Sequence, residues 1–233
     1  MPVNRQVNVN TESVDNYLKA IFTLSGTEER RVSSTALAER LGVAPASITN
    51  MLQKLASSPK PFVEYERYHG VRLSPEGKRR ALEVLRHHRL IETFLYKILD
   101  FPIEEVHEEA ERLEHFISER LEERIAAKLG HPKFDPHGHC IPAMDGKMPN
   151  EISMPLANIE EEGRFVVDSI SDQDALLLKR LNAHGITPGA RLQVTSGSAD
   201  EFVLRTAGTQ KTLHLSRDLA SAIRVRSTDE RQS

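Results

Sequence analysis

The chain has 233 residues, enough for one or two domains with a real hydrophobic core. Its single cysteine, Cys140, excludes an intramolecular disulfide framework, while the near-neutral formal charge of −3 by itself argues against nothing. No signal peptide and no apolar run of membrane-spanning length is visible, which points to a reduced, cytoplasmic compartment.

Charge is unevenly distributed. From Arg30 to Leu90 there are twelve Lys and Arg against five Asp and Glu, whereas from Ile91 to Leu129 there are five against eleven. A basic head that suits a polyanion is followed by an acidic segment that calls for cations or a partner.

In chain order, residues 1–10 are polar and read as a frayed end. Val14, Tyr17, Leu18, Ile21 and Leu24 keep helical spacing, so Thr11–Ser25 is predicted as a helix ended by Gly26. Ser33 or Ser34 caps a second helix through Leu41, and Gly42-Val43 makes a tight turn. Pro45 opens a third helix with an inner stripe of Ile48, Met51, Leu52 and Leu55, stopped at Ser58-Pro59-Lys60-Pro61. Phe62–Arg67 and Val71–Leu73 read as a hairpin, Ser74-Pro75-Glu76 as the start of a helix to about Leu99, and Ile103 to about Leu129 as a second long helix. His131–Gly163, rich in Pro, Gly and His, reads as a linker, with residues 146–163 as its core. Beyond it come Arg164–Ile170, a helix near Gln173–Ala183, and strands near Arg191–Thr195, Phe202–Thr206, Lys211–Leu215 and Ala222–Arg226, the pattern of a small barrel.

Helix, helix, turn, helix and hairpin form a winged helix-turn-helix, whose last helix is set into the major groove. Its outward residues are Ala44, Pro45, Ser47, Thr49, Asn50, Gln53 and Lys54, small or hydrogen-bonding side chains suited to base edges. Lys60, Arg67, His69 and Arg72 are candidate phosphate contacts. Three short helices with polar outer faces also make a plain bundle, but the hairpin and the local basic excess favour double-stranded DNA.

The second constellation is metal-like. His88 and Glu92 stand one helical turn apart, and His107, Glu111 and Glu114 share a face with His115 at its margin. Imidazoles and carboxylates converging from neighbouring helices make a divalent transition-metal ligand set, and carboxylates bordering a core are costly without a cation. A lone histidine in such a helix is more often structural, which is how His87 reads. His137–Cys140 reads as a loop turn rather than a third site.

With these residues in view, the chain resembles the diphtheria-toxin-repressor family of iron- and manganese-dependent transcription regulators. The resemblance rests on Tyr17-Leu18, on Tyr65-Glu-Arg-Tyr-His-Gly-Val-Arg-Leu73, on His88-Arg-Leu-Ile-Glu92, and on Val106-His-Glu-Glu-Ala-Glu-Arg-Leu-Glu-His115. The loop Asp135-Pro-His-Gly-His-Cys-Ile-Pro142 is similar to one in many members. His184-Gly-Ile-Thr-Pro-Gly189 with Leu219–Val225 looks like the SH3-like domain shared with ferrous-iron transport accessory proteins.

The resemblance implies a mainly α chain with a small β domain: a winged helix-turn-helix (1–75), a helical metal-binding and dimerisation domain (76–145), a linker (146–163) and an SH3-like domain (164–233). It implies two ions of Mn(II) or Fe(II) per subunit. One would sit at His88, Glu92 and His107, completed from the C-terminal domain, where Gln173 matches a family ligand. The other would sit at Glu111, Glu114 and His115 with Asn16 from the first helix. Two departures stand out: Asn16 replaces the usual Met or Asp, so Asp15 or Glu12 is an alternative, and Ile170 falls where a carboxylate is expected, so Asp172 or Asp174 is the substitute. Iron-type members carry Cys at the Glu111 position and manganese-type members a carboxylate, which favours manganese, with iron close behind.

The expected function is a homodimeric repressor of manganese or iron uptake genes on a palindromic operator, without membrane association. In it, metal would fix the angle of the DNA-binding head, with Leu95, Ile98, Leu99, Phe116 and Leu121 as candidates for the dimer face. Two alternatives are a dinuclear metalloenzyme, which turnover with Mn(II) would reveal, and a winged-helix regulator of a small ligand or oxidant, for which Cys140 would be the thiol sensor.

Overall fold

The computed structural model describes residues 11–26, 30–148, 153–197, 201–207 and 212–228. The predicted frayed segment 1–10 lies outside them, as does Lys211. Two compact units are present, Met1–His87 with Pro142–Lys147 and His88–Ile141 with Met148–Ser233.

In the first unit α1 (Thr11–Ser25), α2 (Ser34–Leu41) and α3 (Pro45–Ala56) follow the predicted spans. Ser33 caps α2 by accepting from the Ala36 N–H at 3.1 Å, and Gly42 ends it in the left-handed conformation. Pro45 occupies the first turn of α3, where its missing N–H is no loss. Leu18, Ile21, Leu37, Ile48 and Leu52 are fully buried in one core with Val63 and Val71 of the hairpin. That hairpin pairs β1 (Val63–Glu66) with β2 (Gly70–Leu73) in antiparallel register, and Val32 bridges to Val71. At Gly70 (φ +90°) a Cβ would lie 2.5 Å from the Val32 carbonyl oxygen, so only glycine admits that bridge. Ser74 starts α4 (Pro75–Ile98), its hydroxyl accepting from the Gly77 N–H at 3.0 Å.

In the second unit the predicted helix from Ile103 to Leu129 is two helices, α5 (Val106–Leu113) and α6 (Glu119–Lys128). The break has a local cause: Ser118 is extended (φ −87°, ψ 154°) and caps α6, accepting from Leu121 N–H at 3.3 Å. Ile91 and Leu95 of α4 pack on Val106 and Ala110 of α5, while Leu90 packs on Ile125 and Ala126 of α6. Leu95 is therefore intrachain core, whereas Ile98, Leu99, Leu121 and Phe116 are exposed, the last at 76%.

The rest of the second unit is a six-stranded antiparallel sheet in the order β3-β8-β4-β5-β6-β7. Its strands are β3 (Met154–Pro155), β4 (Gly163–Ile170), β5 (Arg191–Gly197), β6 (Glu201–Thr206), β7 (Thr212–Ser216) and β8 (Ile223–Ser227), with helices α7 (Ala175–Ala183) and α8 (Arg217–Ser221). Alternating residues such as Phe165, Val167, Leu192, Val194, Phe202 and Leu204 form its core with Leu177, Leu178 and Leu181 of α7. Leu156, Ala157 and Ile159 belong to the same core. Among the described residues no helix is long and apolar enough to cross a membrane.

Candidate metal centre and nucleic-acid interface

Three stretches of the second unit deliver four donor residues to one place. The helical pair His88 and Glu92 on α4 is buried, Glu92 completely. His107 comes from α5, and Asp172 from the residues just after β4. His88 Nε2 lies 3.0 Å from Glu92 Oε1 and 3.1 Å from His107 Nδ1. His107 Nδ1 in turn lies 3.3 Å from Glu92 Oε1 and 3.4 Å from Asp172 Oδ2. A cation with bonds of about 2.1 Å spaces neighbouring donors by about 3.0–3.4 Å, the range of these four contacts, and the four residues can each offer an atom within 4.8 Å of the others. Gln173 borders the group, its amide 3.2 Å from His107 Nε2 and 2.7 Å from Asp172 Oδ1.

Glu111, Glu114 and His115 lie on the other side of His88. His88 Nδ1 is 2.5 Å from Glu114 Oε2 and 3.9 Å from Glu111 Oε1, and His115 Nε2 is 3.3 Å from Glu114 Oε1. One ligand atom each from His88, Glu111 and Glu114 fits within 4.8 Å.

The loop 135–140, read from sequence as a turn, is a turn and also carries donors. Asp135 Oδ1 accepts from the backbone N–H groups of His137 (2.8 Å) and His139 (2.9 Å). Arg89 holds the loop from α4 through the Cys140 carbonyl, with its Nε 3.6 Å from Asp135 Oδ2. Ile170 N–H of β4 donates to the His137 carbonyl at 2.9 Å. Gly138 (φ +87°) permits that approach, since a Cβ there would lie 2.0 Å from the Asp168 carbonyl oxygen. His137 is fully buried; its Nε2 faces the Ile103 carbonyl at 3.0 Å, which leaves Nδ1 turned to Glu92 Oε1 at 3.7 Å. An imidazole tied to a backbone carbonyl by one nitrogen presents the other as a lone pair, the usual posture of a metal-ligating histidine.

Electrostatics point the same way. Burial would push the Glu92 carboxyl up, but His88, His107 and His137 hold it well below the usual range. Burial would lower His107, yet hydrogen bonds to Asp172 and Glu92 raise it to about 9. His137 and His139 are raised against burial, chiefly by Glu92 and Asp135 respectively. The carboxylates thus demand positive charge, which protons on the rings provide when no cation does. Glu92 Oε2 is buried with no hydrogen-bond partner among the described residues. The donor set fits a divalent ion.

The remaining site expectations sort as follows. Asp174 caps α7, accepting from Leu177 N–H at 2.9 Å, and Ile170 is core of the β domain, so Asp172 is the carboxylate that reaches the cluster. Asn16 is half-buried on α1 in the first unit. Asp15 is not a spare ligand, because Arg80 engages both its oxygens at 2.8 and 2.7 Å, and Glu12 is exposed. The thiol of Cys140 is fully buried, poorly placed for an oxidant. His137 and His139 fall in the stretch whose sequence favours a loop turn over a third site; the signal that they carry donors is the alternation Asp135-x-His137-x-His139 within the loop.

In the first unit Ala44, just before α3, and Pro45, Ser47, Asn50, Gln53 and Lys54 on it are exposed, as are Lys60, Arg67 and His69 beyond it. Thr49 is half-buried, its hydroxyl bonded to the Pro45 carbonyl at 3.2 Å. Arg72 is exposed but paired with Glu64 at 2.7 Å, and Arg67 lies over the Tyr68 ring.

Three family models match in series: the iron dependent repressor N-terminal DNA binding domain over residues 10–71, the iron dependent repressor metal binding and dimerisation domain over 74–143, and the FeoA domain over 154–227. A solved manganese-dependent transcriptional repressor in complex with manganese is 37% identical, with a TM-score of 0.85 over 92% of this chain and 99% of that one. The chain belongs to the diphtheria-toxin-repressor family. Like the other members of the family, this repressor is a metal-dependent DNA-binding transcriptional regulator responsive to manganese or iron, and not an enzyme. It is 28% identical over 229 residues to the iron-dependent repressor IdeR of Mycobacterium leprae, covering 92% of this chain and 96% of that protein. It is 36% identical over 118 residues to the transcriptional regulator MntR of Bacillus pumilus, covering 49% of this chain and 77% of that protein. The helical domain binds metal and dimerises, and the N-terminal domain binds DNA.

Proposed function

We propose that this repressor takes up two ions of Mn(II) or Fe(II) per subunit and, so loaded, binds a palindromic operator as a homodimer in the cytoplasm. The observation that carries the reading is the mutual approach of His88 Nε2, Glu92 Oε1, His107 Nδ1 and Asp172 Oδ2, all within 4.8 Å. These four, with His137 and Gln173 beside them, hold the first ion. Glu111, Glu114 and His115 hold the second. The ion supplies the charge that three imidazoles and two carboxylates otherwise balance with protons.

An oxygen-and-nitrogen set with a carboxylate at position 111 suits Mn(II), with Fe(II) next. Such a set binds Zn(II) more tightly in isolation, so availability in the cell supplies part of the selectivity. Exposed Ile98, Leu99, Phe116 and Leu121 form the face that meets the second subunit. A two-fold dimer presents its recognition helices about 34 Å apart, one turn of duplex. On α3, Asn50 and Gln53 read base edges, and Lys60, Arg67 and His69 hold phosphates.

The test is a gel shift on an operator duplex titrated with Mn(II), Fe(II) and chelator. Retardation should rise with the metal and vanish with the chelator, and binding indifferent to both would defeat the reading. Metal affinity measured with and without the duplex should differ by the same factor as DNA affinity with and without metal.

A further inference from the structure

The tip of the β1–β2 hairpin carries a side chain that the core does not use. His69 N–H donates to the Glu66 carbonyl at 3.1 Å, so Glu66-Arg67-Tyr68-His69 is a β-turn. Tyr68 takes its third position in the left-handed region, at φ +70°. Glycine or asparagine adopts that conformation readily, whereas an aromatic residue is strained in it. No burial offsets the strain, because Tyr68 is 90% exposed. The Arg67 guanidinium flanks the ring, 5.1 Å from its centroid. The turn is firmly held: Arg31 donates to the Gly70 carbonyl at 3.2 Å and to Glu66 Oε1 at 2.5 Å. Arg72 matches Glu64, so both carboxylates of the hairpin are neutralised, and Arg67 has no carboxylate partner among the described residues.

A strained, rigidly mounted and almost wholly exposed aromatic at the end of a DNA-binding domain is placed for the nucleic acid rather than for the fold. We propose that Tyr68 enters the minor groove beside the major groove that α3 occupies and there discriminates A·T from G·C pairs; this rests on the operator reading above. The minor groove is about 6 Å wide, room for a phenol ring edge-on but not for a helix. An A·T pair presents only acceptors there, adenine N3 and thymine O2, to which the phenol O–H can donate. A G·C pair adds the guanine amino group, which stands in the way of the ring. Arg67, stacked on the ring, meets the phosphates at the groove edge, so the cation holds and the phenol reads.

The probe is a duplex that the Mn(II)-loaded full-length protein itself selects from a random pool. Each A·T pair outside the stretch that α3 reads is replaced in turn by inosine·cytosine and by G·C. Those two pairs are alike in the major groove and differ in the minor groove by the amino group alone. At one flank position the unaltered protein should bind the inosine duplex as tightly as the A·T one. It should bind the G·C duplex there about fivefold to tenfold more weakly. Tyr68→Ala should bind the inosine and G·C duplexes alike. Tyr68→Gly, which relieves the backbone, should lose the discrimination too, yet unfold at a denaturant midpoint no lower than that of the unaltered protein. A Tyr68 that served the fold would instead lower that midpoint and leave the discrimination in place. Discrimination that survives Tyr68→Ala, or that the unaltered protein shows at no flank position, would overturn the proposal and leave the operator reading standing. Selection of no duplex in Mn(II) would defeat that reading, and the role of Tyr68 with it.

Discussion

Arg80 of α4 grips Asp15 of α1 by both carboxylate oxygens, Nε to Oδ1 at 2.8 Å and Nη2 to Oδ2 at 2.7 Å. The pair ties the first helix to α4 without any metal, and it withdraws from coordination the carboxylate next to Asn16. Asp15 is buried and Arg80 is part-exposed with a second partner, Glu83, at 2.6 Å. Asp15→Asn should therefore cost about 2 kcal/mol, less than a fully buried pair broken on one side. Denaturant unfolding would show an earlier midpoint at unchanged slope, and Mn(II) stoichiometry should stay as it was.

The raised His107 sets a pH dependence for the metal-free protein. Its folded value of about 9 exceeds the ordinary 6.5, so the stability it contributes is complete below about pH 6.5 and is lost as pH rises through 9. The loss amounts to about 3 kcal/mol. Thermal melts in chelator between pH 6.5 and 9.5 should show the decline, and His107→Gln should flatten it. Over the same range Mn(II) affinity should rise, by up to about tenfold per unit of pH, because the ion displaces that proton.

Gly138 packs the donor loop on β4 at a spacing only glycine permits, 2.0 Å from an added Cβ to the Asp168 oxygen. Gly138→Ala should cost more than about 2 kcal/mol and draw His137 away from Glu92. Weaker Mn(II) binding at the first site, together with an earlier unfolding midpoint, is the expected outcome.

On DNA, Asn50→Ala should relax base preference at one operator position at a cost of about 1–3 kcal/mol. Lys60→Ala and Arg67→Ala should weaken every duplex alike and lower the salt slope by about one each. Arg72→Ala should change the slope less, since Glu64 already matches that charge at 2.7 Å. Affinities across a salt series on operator and scrambled duplexes separate the three kinds of effect.

Local patterns were legible and distant approaches were not. Helical spacing of Val14, Tyr17, Leu18 and Ile21 and the Ser33 and Pro45 starts located the DNA-binding helices to within a residue or two, because each signal is contained within a few positions. The break before α6 was hidden because Val106, Ala110, Leu113 and Ile117 keep one period across it, although Leu113 is exposed and Ser118 starts a new helix. His88, Glu92 and His107 could be paired from one-turn spacing on consecutive helices. The approach of His137 could not, because it depends on a backbone bond from Ile170, more than thirty positions away. Asp172 and Asp174 were equivalent on paper; only the α7 cap distinguishes them.

The most direct measurement is operator affinity as a function of free Mn(II), for the unaltered repressor and for Glu92→Gln. Glu92 touches every ring of the first group and lies wholly buried, and its amide cannot supply the charge. The account predicts that metal tightens the unaltered protein on its operator by at least about a hundredfold and the variant by far less, with equal affinities for both when chelator is present. Equal tightening of the two proteins by Mn(II) would contradict it.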